Sequence, residues 1–379
     1  MSSIHLHTCG CGLSADHHQP GCGAGAIDMH CHVFVPMVNQ KAAERPEFQA
    51  ELAGFAGDMG QASVEHNRDV MMPQALDRLI NVETRLADMD AAGVAIQCLS
   101  PSPSQYFYWA DEELSCELVA LQNMAISELC EQYPERFVGL GAVSLQHPQL
   151  AVEQLRVLMQ LPGMKGVEIA TRIAGLDLDH PDLLPFWQAA EALGALVFIH
   201  PFTSHVDDRL QDWYLSNLIG QPLESTIALS RLIFSGLFEQ HRNLRVLAAH
   251  GGGYLPQYCG RIDKGALVRP ESGGLPRLPS DYLKTNLWFD SLVFSPLSLR
   301  HLIDQVGAER VVLGTDYPFD MGSEMNQPWL ASLSADERRA LLRDNAVRLL
   351  QLPAEAIPEF SDFCKSQPTS VAGQGKELL

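Results

Sequence analysis

An eight-stranded (β/α)₈ TIM barrel is the fold this sequence predicts, and three observations predict it. Short apolar runs alternate with longer, mostly amphipathic stretches along the chain, giving eight candidate strands. The first run ends in His30-Cys31-His32, not in the glycine-rich phosphate turn that an open doubly wound sheet places after its first strand. Residues able to bind metal recur at the carboxyl ends of later runs, where a barrel of this kind gathers its active site.

The runs follow in order. AIDMHCH (26–32) opens the series, followed by VAIQCLS (94–100), RFVGLGAVSL (136–145) and MKGVEIA (164–170). ALVFIHP (195–201), LRVLAAHG (244–251), LWFDSLV (287–293) and RVVLGTDYP (310–318) complete it. Each is rich in Val, Ile, Leu or Phe and bounded by Gly, Pro or Asn, as expected for strands covered on both faces. Between them, 75–93 carries Leu79, Val82, Leu86 and Met89 at three- and four-residue steps, the spacing of one helix face. The stretches 113–133 and 224–241 repeat that pattern, and 335–350 closes the series with acidic residues first and arginines inside.

Three segments fall outside the rhythm. Residues 1–25 form a Cys/His-rich extension, 33–74 a long insertion after the first strand, and 202–223 an extended loop after the fifth. The insertion holds too many Gly, Pro and polar residues for one continuous helix. Long loops at this end of a barrel carry lids and substrate contacts. The expected organisation is therefore an extension (1–25), a barrel (26–352) and a polar tail (353–379).

Bulk properties narrow the function. A barrel needs about 250 residues, so 379 accommodate one with insertions. No run of about 20 apolar residues is present, so no membrane span is expected. The first residues lack a basic segment followed by an apolar one, so no secretory leader is expected. Nine cysteines in a chain this long do not make a disulfide scaffold; Cys31, Cys98, Cys116, Cys130 and Cys259 read as small buried thiols, which points to a reducing cytoplasm. A formal charge of -20 argues against a nucleic-acid partner. Any small acid entering such a protein needs local positive charge, from a metal or a placed arginine.

His30 and His32 leave the same strand face, and two adjacent imidazoles inside a barrel are costly unless something binds them. His200 ends the fifth run, His250 the sixth and Asp316 the eighth, so all five converge on one mouth. Imidazole and carboxylate are natural ligands for a divalent ion. Such an ion lowers the pKa of a bound water to about 7, within reach of a histidine base.

His30-x-His32, His200, His250-Gly-Gly-Gly and Gly314-Thr315-Asp316-Tyr317-Pro318 follow, in order, the pattern of the amidohydrolase superfamily. From about residue 26 to 350 the chain most resembles its branch of metal-dependent decarboxylases, typified by aminocarboxymuconate-semialdehyde decarboxylase. The run GRID (260–263) and the stretch leading to HGGG share in that resemblance. It implies one divalent ion, zinc, held by His30, His32, His200 and Asp316, with His250 as the general base. Relatives with two metals bridge them with a carboxylated lysine at the end of the fourth strand; here Lys165 lies at its start and Glu168-Ile169-Ala170 at its end, which favours a single ion.

The resemblance also implies that Arg261 binds a substrate carboxylate from across a homodimer interface. A second such arginine falls in the insertion, where Arg68 is the nearest candidate. Phe202 stands where those relatives carry tryptophan after His-Pro, so the pocket lacks that indole donor. Asp290 either orients a site group or caps the following helix. In the extension, Cys9, Cys11, Cys22 and a histidine such as His18 offer donors for a second, structural zinc. The activity implied is non-oxidative decarboxylation of a small unsaturated or aromatic acid. The alternative is hydrolysis or hydration of a lactone, amide or unsaturated acid by the same centre. A metal-sensing scaffold built on the extension is a third reading, weakened because every expected ligand is present.

Overall fold

In a computed structural model, residues 25–202, 208–272, 274–324 and 327–353 are described. Eight parallel strands make the barrel: β1 (Ala26–Val33), β2 (Val94–Pro101), β3 (Phe137–Gly141), β4 (Met164–Ile169), β5 (Leu196–Ile199), β6 (Arg245–Ala248), β7 (Leu287–Asp290) and β8 (Val311–Val312). Each pairs with the next in chain order. Closure runs between β8 and β1: Met29 N donates to Leu313 O at 2.8 Å, and Cys31 bridges Tyr317 in parallel.

Every expected strand forms, but several are shorter at their carboxyl ends. The eighth run keeps only Val311–Val312 in the ladder, because Asp316 turns to a left-handed φ of 60° before Tyr317 rejoins β1. The sixth stops at Ala248, and His250, with φ 54°, begins a tight turn. Positive φ at residues that are not glycine costs about 1–3 kcal/mol and gathers at functional positions. At both ends the side chain leaves the ladder and is aimed by the turn instead.

Register makes the strand ends level. Ile169 pairs with Ile199, Ile199 with Ala248, and Ala248 with Phe289, so the residues that follow emerge at one height. The main core lies between sheet and helices, where Val167, Ile199, Val246 and Phe289 join Leu155, Trp187, Phe238 and Leu299. Ile96, Cys98, Val138, Leu140, Leu196, Phe198 and Leu247 form a second cluster. Its Phe198 shares a strand face with His200 and touches the His30 ring at 5.0 Å, so it floors the site.

The helices follow local rules. Glu112–Gln132 starts where the Asp111 side chain accepts from Leu114 N at 2.8 Å, and it buries Leu114, Leu118, Ile126 and Cys130. The 75–93 pattern is two helices, Met72–Ile80 and Val82–Ala92, because Asn81 ends one and caps the next. The insertion is helical in pieces, Pro36–Ala42, Pro46–Met59 and Gln61–His66, and Gly60 (φ 78°) breaks the chain between the last two. Prolines open the first two of these pieces, where their missing N–H is harmless. His66 Nε2 and Asp320 Oδ2, 2.7 Å apart, tie this insertion to the loop after β8. Among the cysteines, Cys31, Cys98, Cys130 and Cys259 are buried and free, whereas Cys116 is exposed, against the sequence expectation, on an outer helix face. No described helix is long and apolar enough to cross a membrane.

Candidate metal centre

β1 carries His30 and His32 on one face, β5 leads to His200, β6 to His250 and β8 to Asp316. The imidazoles meet as a cage: ring centroids are 5.2 Å apart for His30 and His32, 4.9 Å for His30 and His200, 4.9 Å for His32 and His200, and 5.1 Å for His200 and His250. His30 and His32 are fully buried, His200 and Asp316 nearly so. The ligand atoms of His30, His200, His250 and Asp316 lie within 4.8 Å of one another, a gathering of donors that marks a divalent-metal site. His32 joins them through Asp316, its Nε2 standing 3.1 Å from Oδ1.

Hydrogen bonds behind the rings set their tautomers. His30 Nδ1 lies 2.6 Å from Asp290 Oδ2, an acceptor, so this nitrogen carries the proton. His32 Nδ1 likewise lies 3.0 Å from the Pro101 carbonyl. In the neutral rings both Nε2 atoms are then lone pairs, and both face Asp316 Oδ1, at 3.3 and 3.1 Å. Acceptor faces acceptor, an arrangement that requires a cation or an extra proton between them. Neither Nε2 atom, nor Asp316 Oδ1, nor either nitrogen of His200 has a hydrogen-bond partner. Each such buried orphan costs about 1–3 kcal/mol, and a proton on His30 would satisfy only its own Nε2 and Asp316 Oδ1, leaving the nitrogens of His32 and His200 without a partner. A bound divalent ion removes that cost, and the donor set fits one.

The electrostatics agree. Burial opposes charge on His30, but Asp316 and Asp290 outweigh it and push its pKa up to about 10. Asp316 is held well below the carboxylate range, because His30, His250 and His32 more than offset its burial. Burial, then the charges of the neighbouring imidazoles, hold His200 well below the usual histidine value. The site thus sets two ionised carboxylates, Asp316 and Asp290, among buried imidazoles, a trap for a cation.

A second layer was less legible. Asp290 does orient a site group: besides His30 it accepts from His250 N at 2.9 Å and Gly251 N at 2.8 Å. Burial would raise its pKa, but His30 and His250 keep it lowered. Asp28 accepts from Thr315 Oγ1 at 2.7 Å and from His30 N at 3.2 Å. Buried Arg85 bonds the His32 carbonyl and Gln97, and its guanidinium lies 4.8 Å over the Tyr317 ring. The alternation Asp28-x-His30-x-His32 was the available signal for Asp28; nothing local marks Arg85. Glu168, at the end of β4, accepts from Tyr106 OH at 2.6 Å and lies 3.6 Å from His32 Nδ1, on the side of that ring turned away from Asp316.

The centre opens into a cavity of about 260 Å³ whose walls include His200, Asp316, Met71, Phe202, Tyr214 and Phe319. Among the described residues, no lysine or arginine lines it. Phe202 is therefore at the site. Arg68 is not among its walls; it is exposed and paired with Asp69 at 2.6 Å. Arg261 sits exposed on the helix Leu255–Val268, outside the cavity. Cys9, Cys11, His18 and Cys22 lie outside the described residues.

The comparisons with known proteins come to the same place. The amidohydrolase family model matches residues 27–352. A 2-amino-3-carboxymuconate-6-semialdehyde decarboxylase of Dictyostelium discoideum is 31% identical, over 86% of this chain and 91% of that protein. A gamma-resorcylate decarboxylase of Rhizobium sp. is 30% identical, over 81% of this chain and 95% of its own length. Among solved structures, a 2,6-dihydroxybenzoate decarboxylase in complex with 2,6-dihydroxybenzoate superposes with a TM-score of 0.71 at 26% identity, covering 86% of this chain and 99% of that one. With its barrel, its strand-end ligands and a family match over nearly the whole barrel, this chain belongs to the amidohydrolase family.

Proposed function

We propose that this protein is a metal-dependent carboxy-lyase that removes carbon dioxide, without redox chemistry, from a small aromatic or unsaturated carboxylic acid. The observation that carries the reading is the pair of buried imidazole nitrogens, Nε2 of His30 and of His32, facing the Asp316 carboxylate, in a chain whose relatives are named as decarboxylases. The ion is zinc, which suits several imidazoles and one carboxylate, held by His30, His32, His200 and Asp316. When bound, it supplies the positive charge that orients and neutralises the substrate carboxylate.

The chain's own residues do the rest. As the bond to the carboxyl carbon breaks, its electron pair stays on the substrate carbon, and a proton must arrive there. His250 brings it. Its side chain is 17% exposed while those of His30 and His32 are fully buried, so it alone of these three can recover a proton from solvent. Asp290 anchors its backbone and, through Gly251, the turn that carries it. Phe202 packs against the substrate, and the apolar wall it shares with Met71 and Phe319 excludes water.

Because no cationic side chain of the described chain lines the cavity, a remaining substrate carboxylate is met by Arg261 of a second copy in a homodimer. Exposed Tyr258, Leu267 and Val268 on the same helix support a docking face there. The test is carbon dioxide release by the zinc-loaded protein from a panel of hydroxybenzoates and muconate-type acids. Release from at least one is expected. Release from none, together with hydrolysis of a lactone or amide, overturns the reading.

A further inference from the structure

The metal cavity has a neighbour. A second cavity, of about 440 Å³, lies between the insertion helix Pro46–Met59 and the loops after β2 and β4. The two cavities have two wall residues in common, Phe55 and Phe202. These rings are stacked, with centroids 5.1 Å apart and planes 16° from parallel. Tyr106 meets Phe202 edge-on from the far side, at 6.2 Å. A partition one ring-pair thick therefore separates the metal from a space larger than the metal cavity itself.

Size decides what that space is for. Pockets that enclose a drug-sized ligand run to about 300–1,000 Å³, and the 260 Å³ beside the metal falls below that range. It takes a single ring. With the partition displaced, the joined space lies well inside the range.

The partition is built to move. Phe55 and Phe202 are only half-buried, so neither ring is locked by dense packing. Phe55 stands next to Gly54 and two residues before Gly57, and at neither glycine would a Cβ meet any atom within 4 Å. Nothing in the packing requires glycine there, yet both weaken that turn of the helix relative to alanine.

We propose that the Phe55–Phe202 pair is a specificity door, and that the second cavity receives the distal aromatic group of acids longer than one ring. The inference rests on the decarboxylase reading above for the end of the substrate that meets the metal. Tyr106, Tyr108 and Trp109 supply the stacking surfaces for that distal ring. The ring is uncharged. Among the described lining residues three are acidic, Glu51, Asp58 and Glu224, and the one basic residue, Arg172, donates to the Gly175 carbonyl, so no cation is aimed at an anionic substituent.

The test compares 2-hydroxybenzoate with 4-hydroxybiphenyl-3-carboxylate on zinc-loaded wild type, Phe55→Ala and Gly54→Leu. Affinities come from calorimetry, and carbon dioxide release is followed separately. Phe55→Ala removes half of the door, and the affinity ratio of the long acid to the short one should rise at least tenfold. Gly54→Leu places a side chain into the second cavity where there is room for it, and it favours the helix; the ratio should fall at least fivefold. Ratios within twofold of wild type in both variants overturn the proposal, as does failure of both acids to bind wild type. Ratios that shift as expected without carbon dioxide from any acid leave the door standing and remove the decarboxylase reading.

Discussion

Asp290 Oδ2 lies 2.6 Å from Nδ1 of His30, two buried groups 260 residues apart in the chain. The contact sets which nitrogen of His30 faces the ion, and the same carboxylate accepts the backbone N–H groups of His250 and Gly251. One side chain at the end of β7 thus aims a ligand and places the proton carrier.

Asp290→Asn should therefore keep the fold and loosen the site. An amide can still accept from Gly251, but it no longer fixes the His30 tautomer or raises its basicity. Losses of about 10–100-fold in metal affinity are usual for such changes. Zinc competition against a fluorescent chelator measures it. Unchanged affinity would mean that Asp290 serves only the backbone turn.

His250 and His32 separate ligand from proton carrier. His250→Ala should retain a full equivalent of zinc and lose about 10²–10⁴ in kcat. His32→Ala should lose the metal. Metal content of the two variants checks the assignment, and zinc lost from His250→Ala but kept by His32→Ala would make His250 the ligand, as its closeness to His30, His200 and Asp316 allows.

Metal uptake should release a proton. In the metal-free site His30, pushed up to about 10, holds a proton throughout the neutral range, and the ion must displace it. Its folded-state pKa is raised, so the proton leaves only as pH passes that value. Apparent zinc affinity should therefore increase with pH between 6.5 and 8.5, by about tenfold per unit for one proton. Calorimetry in buffers of different ionisation enthalpy counts the proton. An affinity flat across this range would mean that His30 is already neutral.

Arg261→Ala should raise KM far more than it lowers kcat, since the arginine binds a carboxylate away from the reacting carbon. Mixing Arg261→Ala with inactive His250→Ala, at a substrate concentration far below the raised KM where Arg261→Ala alone is nearly silent, tests the homodimer. Mixed dimers should recover one working site, because each site takes its arginine from the other copy. No recovery in a verified mixed dimer rules out that exchange.

What the sequence by itself determined is what strands encode locally. A period of two puts His30 and His32 on one face, and apolar runs bounded by breakers mark each strand end where His200, His250 and Asp316 stand. Barrel geometry then brings those ends together whatever the details. Other features depended on contacts between distant segments, and only the tertiary structure decided them. The insertion became short helices because Pro36, Pro46 and Gly60 set its breaks and packing supplied the rest. Arg68 points to solvent and Asp69, since the helix face it occupies is turned from the cavity. Asp290 became the partner of His30, and Phe55 met Phe202 across the insertion. Which side chains face one another follows from register and helix docking summed over the whole chain, and no local pattern carries that information.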